Sequence, residues 1–466
     1  MKKTYRKTCV VAAAVMCVLA ASEALAAGPY ALITGRRDPS VIVVDVSKAI
    51  LPANNGTANA VISRVRVSPD VDTNGDGVVD APASGLPSNI VVPTNGRFAY
   101  VVNHGGIAAT PAQVSAFQHG WPGTVTILDI QAALDPANSN TLKPVKTWVS
   151  TGGFGAVGLA VMADEKIMIA PHSEGVGKED GGRDLNVIDL TTGAVLQRLP
   201  LALGNGGAVP QSAGKSCREL AANPELAPKN LPDPDFGCFP ASNTIVVSPM
   251  KGGYAFIANG GTDDVSVISM SKLLAGDRTA EVRRIATGIG PWGQAITNRG
   301  DLVAVGNRES AETTTEGNTV SLIDVSKAID GHPDAMVAKF LVGTDNPATA
   351  SRPFGLAFTN DGKRLLVANF RTNNLSIVDV SKALAGSPSA EIARIPLVRA
   401  DGSPARPRGV AVTPDGRYAT VSGGANNAPG GGALWVIDLA SSAIVGTVLG
   451  IGNEPYMVAI TNGPTP

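Results

Sequence analysis

The chain has 466 residues, of which 44% are hydrophobic, so it can bury a core and is not a disordered chain. Its 38 Lys and Arg residues nearly balance its 39 Asp and Glu residues, which argues against nucleic acid as a partner because that would need a basic stripe. The 53 glycines and 33 prolines, with only 17% charged residues, indicate many tight turns and few surface helices.

The first segment, residues 1–26, predicts a secretory signal peptide. A basic start at residues 2–7 precedes an apolar run at 10–21, and the Ala-Leu-Ala triplet at 24–26 is the small-x-small pattern of a cleavage site. The apolar run is too short for a membrane anchor, and no other run in the sequence is longer, so we expect no membrane span. Residues 27–466 are therefore expected in the periplasm or outside the cell.

The inserted segment 68–86 contains a calcium-type loop. Its oxygen ligands would be Asp72, Asn74, Asp76, the backbone carbonyl of Val78, and Asp80. Over residues 72–80 the pattern resembles the calcium loops of EF-hands and dockerins, but Ala83 stands where those loops carry a bidentate acid. We expect a structural Ca²⁺, since no nucleophile or base lies nearby in sequence; an Asp- and Gly-rich turn without metal is the alternative.

One sequence repeat recurs along the whole chain, and its most visible part is a predicted strand rich in β-branched residues that ends at Asp or Ser. The seven copies are VIVVD (41–45), TVTILD (124–129), LNVIDL (185–190), VSVIS (265–269), VSLID (320–324), LSIVD (375–379) and LWVID (434–438).

Further strands surround these copies. GLAFTNDGKRLLVAN (355–369) and GVAVTPDGRYATVS (409–422) each read as two strands joined by a tight turn, with Gly supplying the positive φ. A fourth strand follows, as in AEIARIPL (390–397) and SAIVGTVLG (442–450). Four antiparallel strands per repeated unit predict the blades of an all-β propeller, whereas a sandwich would not repeat seven times and a β-helix would need shorter repeats.

The two ends of the chain complement each other. PYALITG (29–35) reads as a second strand without a first, and PYMVAITN (455–462) reads as a first strand without a second. Together they make one blade, which leaves no open sheet edge. The sequence therefore predicts a single domain at residues 27–466, a seven-bladed β-propeller closed by pairing of its N- and C-terminal strands.

At this point the chain resembles the YVTN-repeat family of lactonase-like seven-bladed propellers. YVVN (100–103), FIAN (256–259) and LVAN (366–369) carry the resemblance. It implies the seven-bladed fold, and it implies either a lactonase-type activity or a surface-exposed or periplasmic protein. The lactonase propellers are expected to carry His beside the Pro-Arg of a strand-one link, where this chain has Gly409.

Large insertions fall on one face of the predicted propeller. The link from the third to the fourth strand is short and repeats as SKAI (47–50) or SKLL (271–274), which looks like a capped helical turn. The long segments belong to the opposite face: 68–86, 104–122, 171–183, 203–241, 307–318, 398–408 and 423–433. Loops on a rigid scaffold usually carry binding sites, so we expect a functional face there, with neutral loop drift as the alternative.

Polar and aromatic side chains should ring the mouth of the central channel on that face. His104 and His172 follow the second strands of adjacent blades, and with Glu174 or Glu309 they could act as bases or metal ligands. The ligand-binding candidates are Trp292, Arg308, Arg352, Arg371, Arg406, Arg408 and Tyr456, with Glu454 beside them. Arginines at this rim suit a carboxylate or phosphate; an ordinary solvated rim is the alternative.

The loop 203–241 carries the two cysteines that remain after signal removal, Cys217 and Cys238. In an exported protein such a pair predicts a disulfide within the loop, and a metal or redox role is the alternative, since nothing resembles C-x-x-C.

Three functions fit the sequence. The first is an exported binding protein, which we expect to be a monomer, presenting the decorated face to a small anionic ligand or to a protein or polysaccharide partner. The second is a lactonase-type hydrolase at the channel mouth, and the third is an accessory subunit of a periplasmic redox system. No C-x-x-C-H motif and no P-loop is present, so neither haem c nor a nucleotide is expected.

Overall fold

A computed structural model describes residues 28–68, 70–71, 81–82, 85–104, 122–174, 182–202, 240–309, 316–399, 401–424 and 431–464. The predicted signal peptide, the calcium ligands Asp72–Asp80 and the cysteines Cys217 and Cys238 lie outside these residues and stay predictions.

Strands dominate the described residues. In chain order they are β1 (Tyr30–Gly35), β2 (Ser40–Asp45), β3 (Val61–Arg66), β4 (Asp70–Val71), β5 (Ala81–Pro82), β6 (Pro87–Val91), β7 (Phe98–Asn103), β8 (Pro122–Asp129), β9 (Val145–Ala156), β10 (Ala160–Val161), β11 (Ile167–Glu174), β12 (Asp184–Asp189), β13 (Val195–Pro200), β14 (Ser242–Ser248), β15 (Tyr254–Asn259), β16 (Asp264–Ser269), β17 (Glu281–Ala286), β18 (Pro291–Ile296), β19 (Leu302–Glu309), β20 (Glu316–Asp324), β21 (Met336–Leu341), β22 (Pro353–Phe358), β23 (Arg364–Asn369), β24 (Asn374–Asp379), β25 (Glu391–Pro396), β26 (Pro407–Val412), β27 (Tyr418–Gly424), β28 (Gly432–Asp438), β29 (Ala443–Leu449) and β30 (Pro455–Thr461).

Among the described residues, helices are confined to single turns. They are α1 (Val46–Ala49), α2 (Ile130–Ala133), α3 (Met270–Leu274), α4 (Val325–Ile329) and α5 (Val380–Leu384), with 3₁₀ turns at Pro52–Asn54, Pro136–Asn138 and Met250–Gly252. Within the ranges that the structure describes, no helix is both long and apolar enough to cross a membrane.

The strands form several four-stranded antiparallel sheets, which confirms the predicted unit. Their orders are β3-β2-β1-β30, β14-β15-β16-β17, β18-β19-β20-β21, β22-β23-β24-β25 and β26-β27-β28-β29. A larger sheet runs β13-β12-β11-β9-β8-β7-β6, with β10 pairing to β11, and β4 pairs with β5 in a separate ribbon. The first of these sheets joins the two ends of the described chain, since β1 pairs antiparallel with β30.

The Asp that ends most third strands caps the helical turn that follows it. The side chain of Asp45 accepts a hydrogen bond from the backbone N–H of Lys48 at 3.0 Å, and Asp324 accepts one from Lys327 at 2.8 Å. Each cap satisfies one of the donors that a helix start leaves without a partner. The recurring Asp therefore ends the strand and starts the turn, and the Ser that follows it is not the cap.

The first strands of successive sheets lie side by side, with β14, β18, β22, β26, β30 and β6 in contact in that order. Glycine permits the closest approaches: a Cβ on Gly355 would collide with the carbonyl of Arg408, and one on Gly409 would collide with the carbonyl of Tyr456. These contacts hold the residues at the start of each first strand around one centre.

Candidate functional site

A central cavity of about 470 Å³ lies where the first strands begin and the second strands end. Its wall includes four arginines and two glutamates: Arg36, Arg308, Arg352, Arg408, Glu309 and Glu454. Aromatic rings complete it: Trp292, Phe354, Phe370 and Tyr456.

The structure brings together most of the residues singled out at the channel mouth. His104, Trp292, Arg308, Arg352, Arg408 and Tyr456 all line the cavity. Arg36, Phe354 and Phe370 were not singled out from the sequence. Phe354 follows the Pro of RPFG just as Trp292 follows the Pro of GPWG, so the repeated Pro-x-Gly link was a signal that identifies it.

Arg406 and Arg371 lie beside the cavity. The guanidinium of Arg406 is 5.7 Å from the ring centroid of Phe370. Arg371, whose side chain is 49% exposed, forms an ion pair with Glu316 in an adjoining groove. Glu174 is the last residue of β11, and its backbone pairs with Phe154 of β9.

His172 is packed inside the protein, in contrast to His104. Its Nδ1 is 3.0 Å from the carbonyl oxygen of Asp184 and its Nε2 is 3.0 Å from Oγ1 of Thr151. Burial lowers the pKa of His172 to about 4, so the ring is neutral at pH 7. Within the ranges that the structure covers, no three His, Cys, Asp or Glu side chains form a group that could hold a metal ion.

Arg308 is the most distinctive cation of the cavity. Its guanidinium carbon lies 4.3 Å from the ring centroid of Trp292 and 4.7 Å from that of Phe354, so two aromatic rings flank the charge. Burial, and to a smaller extent the charges of Arg352 and Arg36, lower the pKa of Arg308 to about 10. Arg308 stays charged at pH 7, but its environment favours an additional negative charge nearby.

A chain of alternating charges leads from Arg308 towards the surface. Nη2 of Arg308 is 3.6 Å from Oε2 of Glu309, and the same oxygen accepts a hydrogen bond from Nη2 of Arg352. Nη1 of Arg352 donates to Oε1 of Glu316 at 2.9 Å, and Nε of Arg371 donates to Oε2 of Glu316 at 2.6 Å. Two of the cavity arginines thus share one carboxylate oxygen.

Arg408 is a second fixed cation of the cavity wall. Its side chain is 2% exposed, and its Nη2 donates to Oε1 of Glu454 at 3.2 Å. Burial lowers the pKa of Arg408 to about 10, although Glu454 opposes the shift. Arg37 donates from Nε to the other oxygen of Glu454 at 2.9 Å, so this carboxylate is held from two sides.

Several buried donors of the cavity residues have no acceptor. Among the described residues, Nε1 of Trp292, Nε of Arg308, Nε of Arg352 and Nη1 of Arg36 have no hydrogen-bond partner. A buried donor left without an acceptor costs about 1–3 kcal/mol, and native proteins contain few of them. Their concentration around one cavity suits an occupant rich in acceptor oxygens.

Three residues in or beside the cavity wall have a left-handed backbone conformation. Arg352, Arg406 and Glu454 have φ values of 55°, 44° and 52°, and each directly precedes the proline that begins or leads into a first strand. The left-handed region costs a non-glycine residue on the order of 1–3 kcal/mol, and such residues cluster at functional sites.

No protein-family model and no curated protein matches the chain. Solved structures do match it. A periplasmic gluconolactonase of Pseudomonas aeruginosa has a TM-score of 0.58 and 16% identity, with 93% of this chain and 99% of that chain covered. A putative 6-phosphogluconolactonase of Bacteroides uniformis has a TM-score of 0.56 and 13% identity, with the same coverage. The corresponding protein of Bacteroides fragilis has a TM-score of 0.55 and 13% identity, covering 93% and 98%.

These similarities show the fold alone. The chain has a lactonase-like β-propeller fold, as the sequence predicted, while the YVTN repeat type remains a resemblance.

Proposed function

We propose that the protein is an exported β-propeller that binds a small organic anion in the central cavity. The observation that supports this most directly is Arg308, a largely buried cation that lies over two neighbouring rings, with its Nε donor unpartnered in the described structure. Arg352, Arg408 and Arg36 add positive charge on the same wall, where two glutamates balance it only in part. A carboxylate or phosphate would supply both the charge and the acceptor oxygens that these donors need.

The propeller is proposed to have seven blades. In the large sheet, β9 and β11 pair only at Ala156 with His172 and at Phe154 with Glu174, so this sheet divides naturally into two four-stranded units. With the five separate sheets these units make seven, and the pairing of β1 with β30 supports closure by the terminal strands. Export rests on the signal sequence, and the periplasmic gluconolactonase of the same fold is compatible with it.

A second candidate function is lactone hydrolysis at the same cavity, which the shared fold with a gluconolactonase and two putative 6-phosphogluconolactonases favours. A carboxylate such as Glu309, or His104, would accept a proton from water as the water attacks the ring carbonyl. Arg308 would stabilise the oxyanion that forms, and the leaving ring oxygen would take up a proton as the C–O bond breaks.

Calorimetric titration of the protein that begins at residue 27 tests the proposal. The ligands are gluconate, 6-phosphogluconate, glucuronate and inorganic phosphate, and proton release from glucono-lactone and 6-phosphoglucono-lactone is followed in parallel. Arg308→Met keeps an unbranched chain over the two rings but removes the charge, so we expect affinity for the bound anion to fall at least tenfold. Arg417→Met is the matched control, since Arg417 also lies over an aromatic ring, 4.8 Å from that of Tyr418, but is 65% exposed.

Saturable binding that only Arg308→Met weakens would support an anion-binding protein. Turnover that Arg308→Met abolishes would select the hydrolase. If a folded protein binds and converts none of these compounds, or if Arg308→Met binds as well as the parent, the proposal fails.

A further inference from the structure

A second hollow of about 700 Å³ adjoins the central cavity, and the two share Glu309 and Arg352 in their walls. We propose that this groove is a subsite for an uncharged sugar, so that the ligand is an acidic disaccharide whose uronic acid occupies the cavity. The proposal rests on the proposed function, because it uses the cavity as the site of the acid group. Beyond the proposed function, it specifies that the ligand has two sugar units and that one of them is a uronic acid.

The partition between the two hollows is a fixed ion-pair wall. Arg352 donates from Nη1 to Glu316 and from Nη2 to Glu309, and its own backbone N–H donates to the carbonyl of Gly317 at 2.8 Å. Side chain and backbone thus hold Arg352 in one position between cavity and groove. The guanidinium of Arg352 therefore lines both the cavity and the groove, and a ligand that occupies both would contact it.

The opposite wall of the groove is also fixed. Nδ2 of Asn318 donates to the carbonyl oxygens of Pro347 at 2.7 Å and Thr349 at 3.0 Å, which ties the segment after β21 to the start of β20. The groove is therefore formed by hydrogen-bonded backbone on one side and the ion-pair wall on the other. A subsite built this way needs little ordering when a ligand binds.

The chemistry of the groove differs from that of the cavity. Its charged lining residues are Glu309, Glu316, Arg352 and Arg371, which balance and are paired with one another. No aromatic side chain is found among its described lining residues, where Asn318 and Thr319 supply polar groups instead. A balanced polar surface suits hydroxyl groups, while a second anionic group would face two carboxylates.

The cavity suits the acidic end of the same molecule. Its arginines exceed its glutamates, and its aromatic rings offer flat apolar surfaces beside the guanidinium groups. A sugar ring with a carboxylate has an apolar face of C–H groups for the rings and two oxygens for the arginines. Each hollow alone has a volume in the range of about 300–1,000 Å³ that ligand sites show, so the pair accommodates more than one sugar.

The test compares three probes by calorimetry with the full exported chain: methyl glucuronide, cellobiouronic acid (a glucuronic acid linked to glucose) and neutral cellobiose. We expect cellobiouronic acid to bind at least tenfold more tightly than methyl glucuronide, because its second sugar would add one or two net hydrogen bonds in the groove. We expect cellobiose not to bind, because it has no acid group. Ala348→Trp fills the groove from an exposed position, so it should abolish this gain and leave methyl glucuronide binding unchanged. Ala385→Trp adds the same bulk at an exposed position in a different hollow and should change neither affinity.

The outcomes separate the two proposals. If methyl glucuronide and cellobiouronic acid bind equally well, or if the gain survives Ala348→Trp, the groove is not a subsite, although the anion site stands. If neither acid binds while gluconate or phosphate does, the acidic disaccharide is also refuted and the anion site again stands. If the folded protein binds no anion at all, both proposals fall together.

Discussion

Glu309 provides a decisive test of the cavity, because its side chain stands where an anionic ligand is proposed to bind. Its Oε2 accepts a hydrogen bond from Arg352 and lies 3.6 Å from Nη2 of Arg308. Glu309→Gln keeps an oxygen that can accept from Arg352 and removes the negative charge. We therefore expect this variant to bind anions more tightly than the parent protein.

The size of the gain follows from Coulomb's law. Two unit charges 4 Å apart repel by about 1 kcal/mol in water and by about 4 kcal/mol at an effective dielectric constant of 20. The side chain of Glu309 is 31% exposed, so solvent screens it and the lower part of this range applies. A loss of about 1.4 kcal/mol of repulsion corresponds to tenfold tighter binding.

The assay is calorimetric titration with glucuronate and 6-phosphogluconate at two salt concentrations. Glu316→Gln is the matched control, since Glu316 also contacts Arg352 but is not among the described residues of the cavity wall. We expect its effect to be under threefold, and we expect the Glu309→Gln gain to shrink at higher salt. Unchanged or weaker binding by Glu309→Gln would refute the placement of the anion between the two arginines.

The same variant separates binding from catalysis. If the protein hydrolyses a lactone with Glu309 as general base, Glu309→Gln should lower kcat at least a hundredfold while substrate binding is kept or improved. A gain in binding by a protein without turnover would instead support a binding protein.

Three further predictions concern stability and metal binding. Arg284→Met should lower the free energy of unfolding by about 3–5 kcal/mol, because this fully buried arginine pairs with two carboxylates. Arg394→Met, at the same register of another sheet but 28% exposed, should lower it by about 1 kcal/mol or less. Urea unfolding measures both losses, and equal losses would contradict the argument. Folding lowers the pKa of His172 from 6.5 to about 4, so the contribution of its neutral ring to the free energy of unfolding is complete above pH 6.5 and is lost as the pH falls towards 4. His172→Gln should remove about 3 kcal/mol of this pH dependence, whereas the control His332→Gln, at an exposed position, should keep it. Ca²⁺ should raise the Tm of the parent protein and EDTA should lower it, while Asp76→Asn should remove the response. A Tm of the parent protein that changes with neither Ca²⁺ nor EDTA would count against the calcium loop.

The repeated unit of the fold was predictable because its signals are local. Tight turns such as Asn-Asp-Gly, strands rich in β-branched residues and a terminal Asp recur in most copies, and the structure shows four-stranded antiparallel sheets at these positions. The helical turn was also predictable, but its cap is the Asp and not the Ser. The larger sheet was not anticipated, because nothing in the sequence indicates that β9 extends far enough to pair with β11.

That extension also explains why the two histidines differ. The sequence predicted that both His104 and His172 follow a second strand, but His172 lies within β11, and only His104 lines the cavity. The end of β9 passes directly over His172, so that a Cβ on Gly153 would collide with the imidazole ring. A contact between residues from different units decides the burial of this side chain, and position within the repeat cannot reveal it.

Arg352 and Arg408 of the cavity were predictable from their place before or within the Pro-x-Gly links and Arg308 from its place near the end of a second strand, whereas Arg36 was not singled out. The contacts that each guanidinium makes were not predictable. Whether a guanidinium is flanked by rings, as in Arg308, or held by a carboxylate, as in Arg408, depends on neighbours contributed by other sheets.

The pairing of β1 with β30 makes the cavity depend on two strands that lie far apart in the sequence. Arg36 follows β1 and its guanidinium lies 4.8 Å above the ring of Tyr456 in β30, so the two ends of the chain complete the wall together. β1 therefore lacks β30 as a partner until more than four hundred further residues have been synthesised, a separation seen in the hydrogen bond from the backbone N–H of Met457 to Oγ1 of Thr34. The cavity wall is therefore complete only when β1 and β30 have paired, and a ligand bound there would stabilise the paired strands by a free energy that grows with the logarithm of its concentration once this exceeds its Kd.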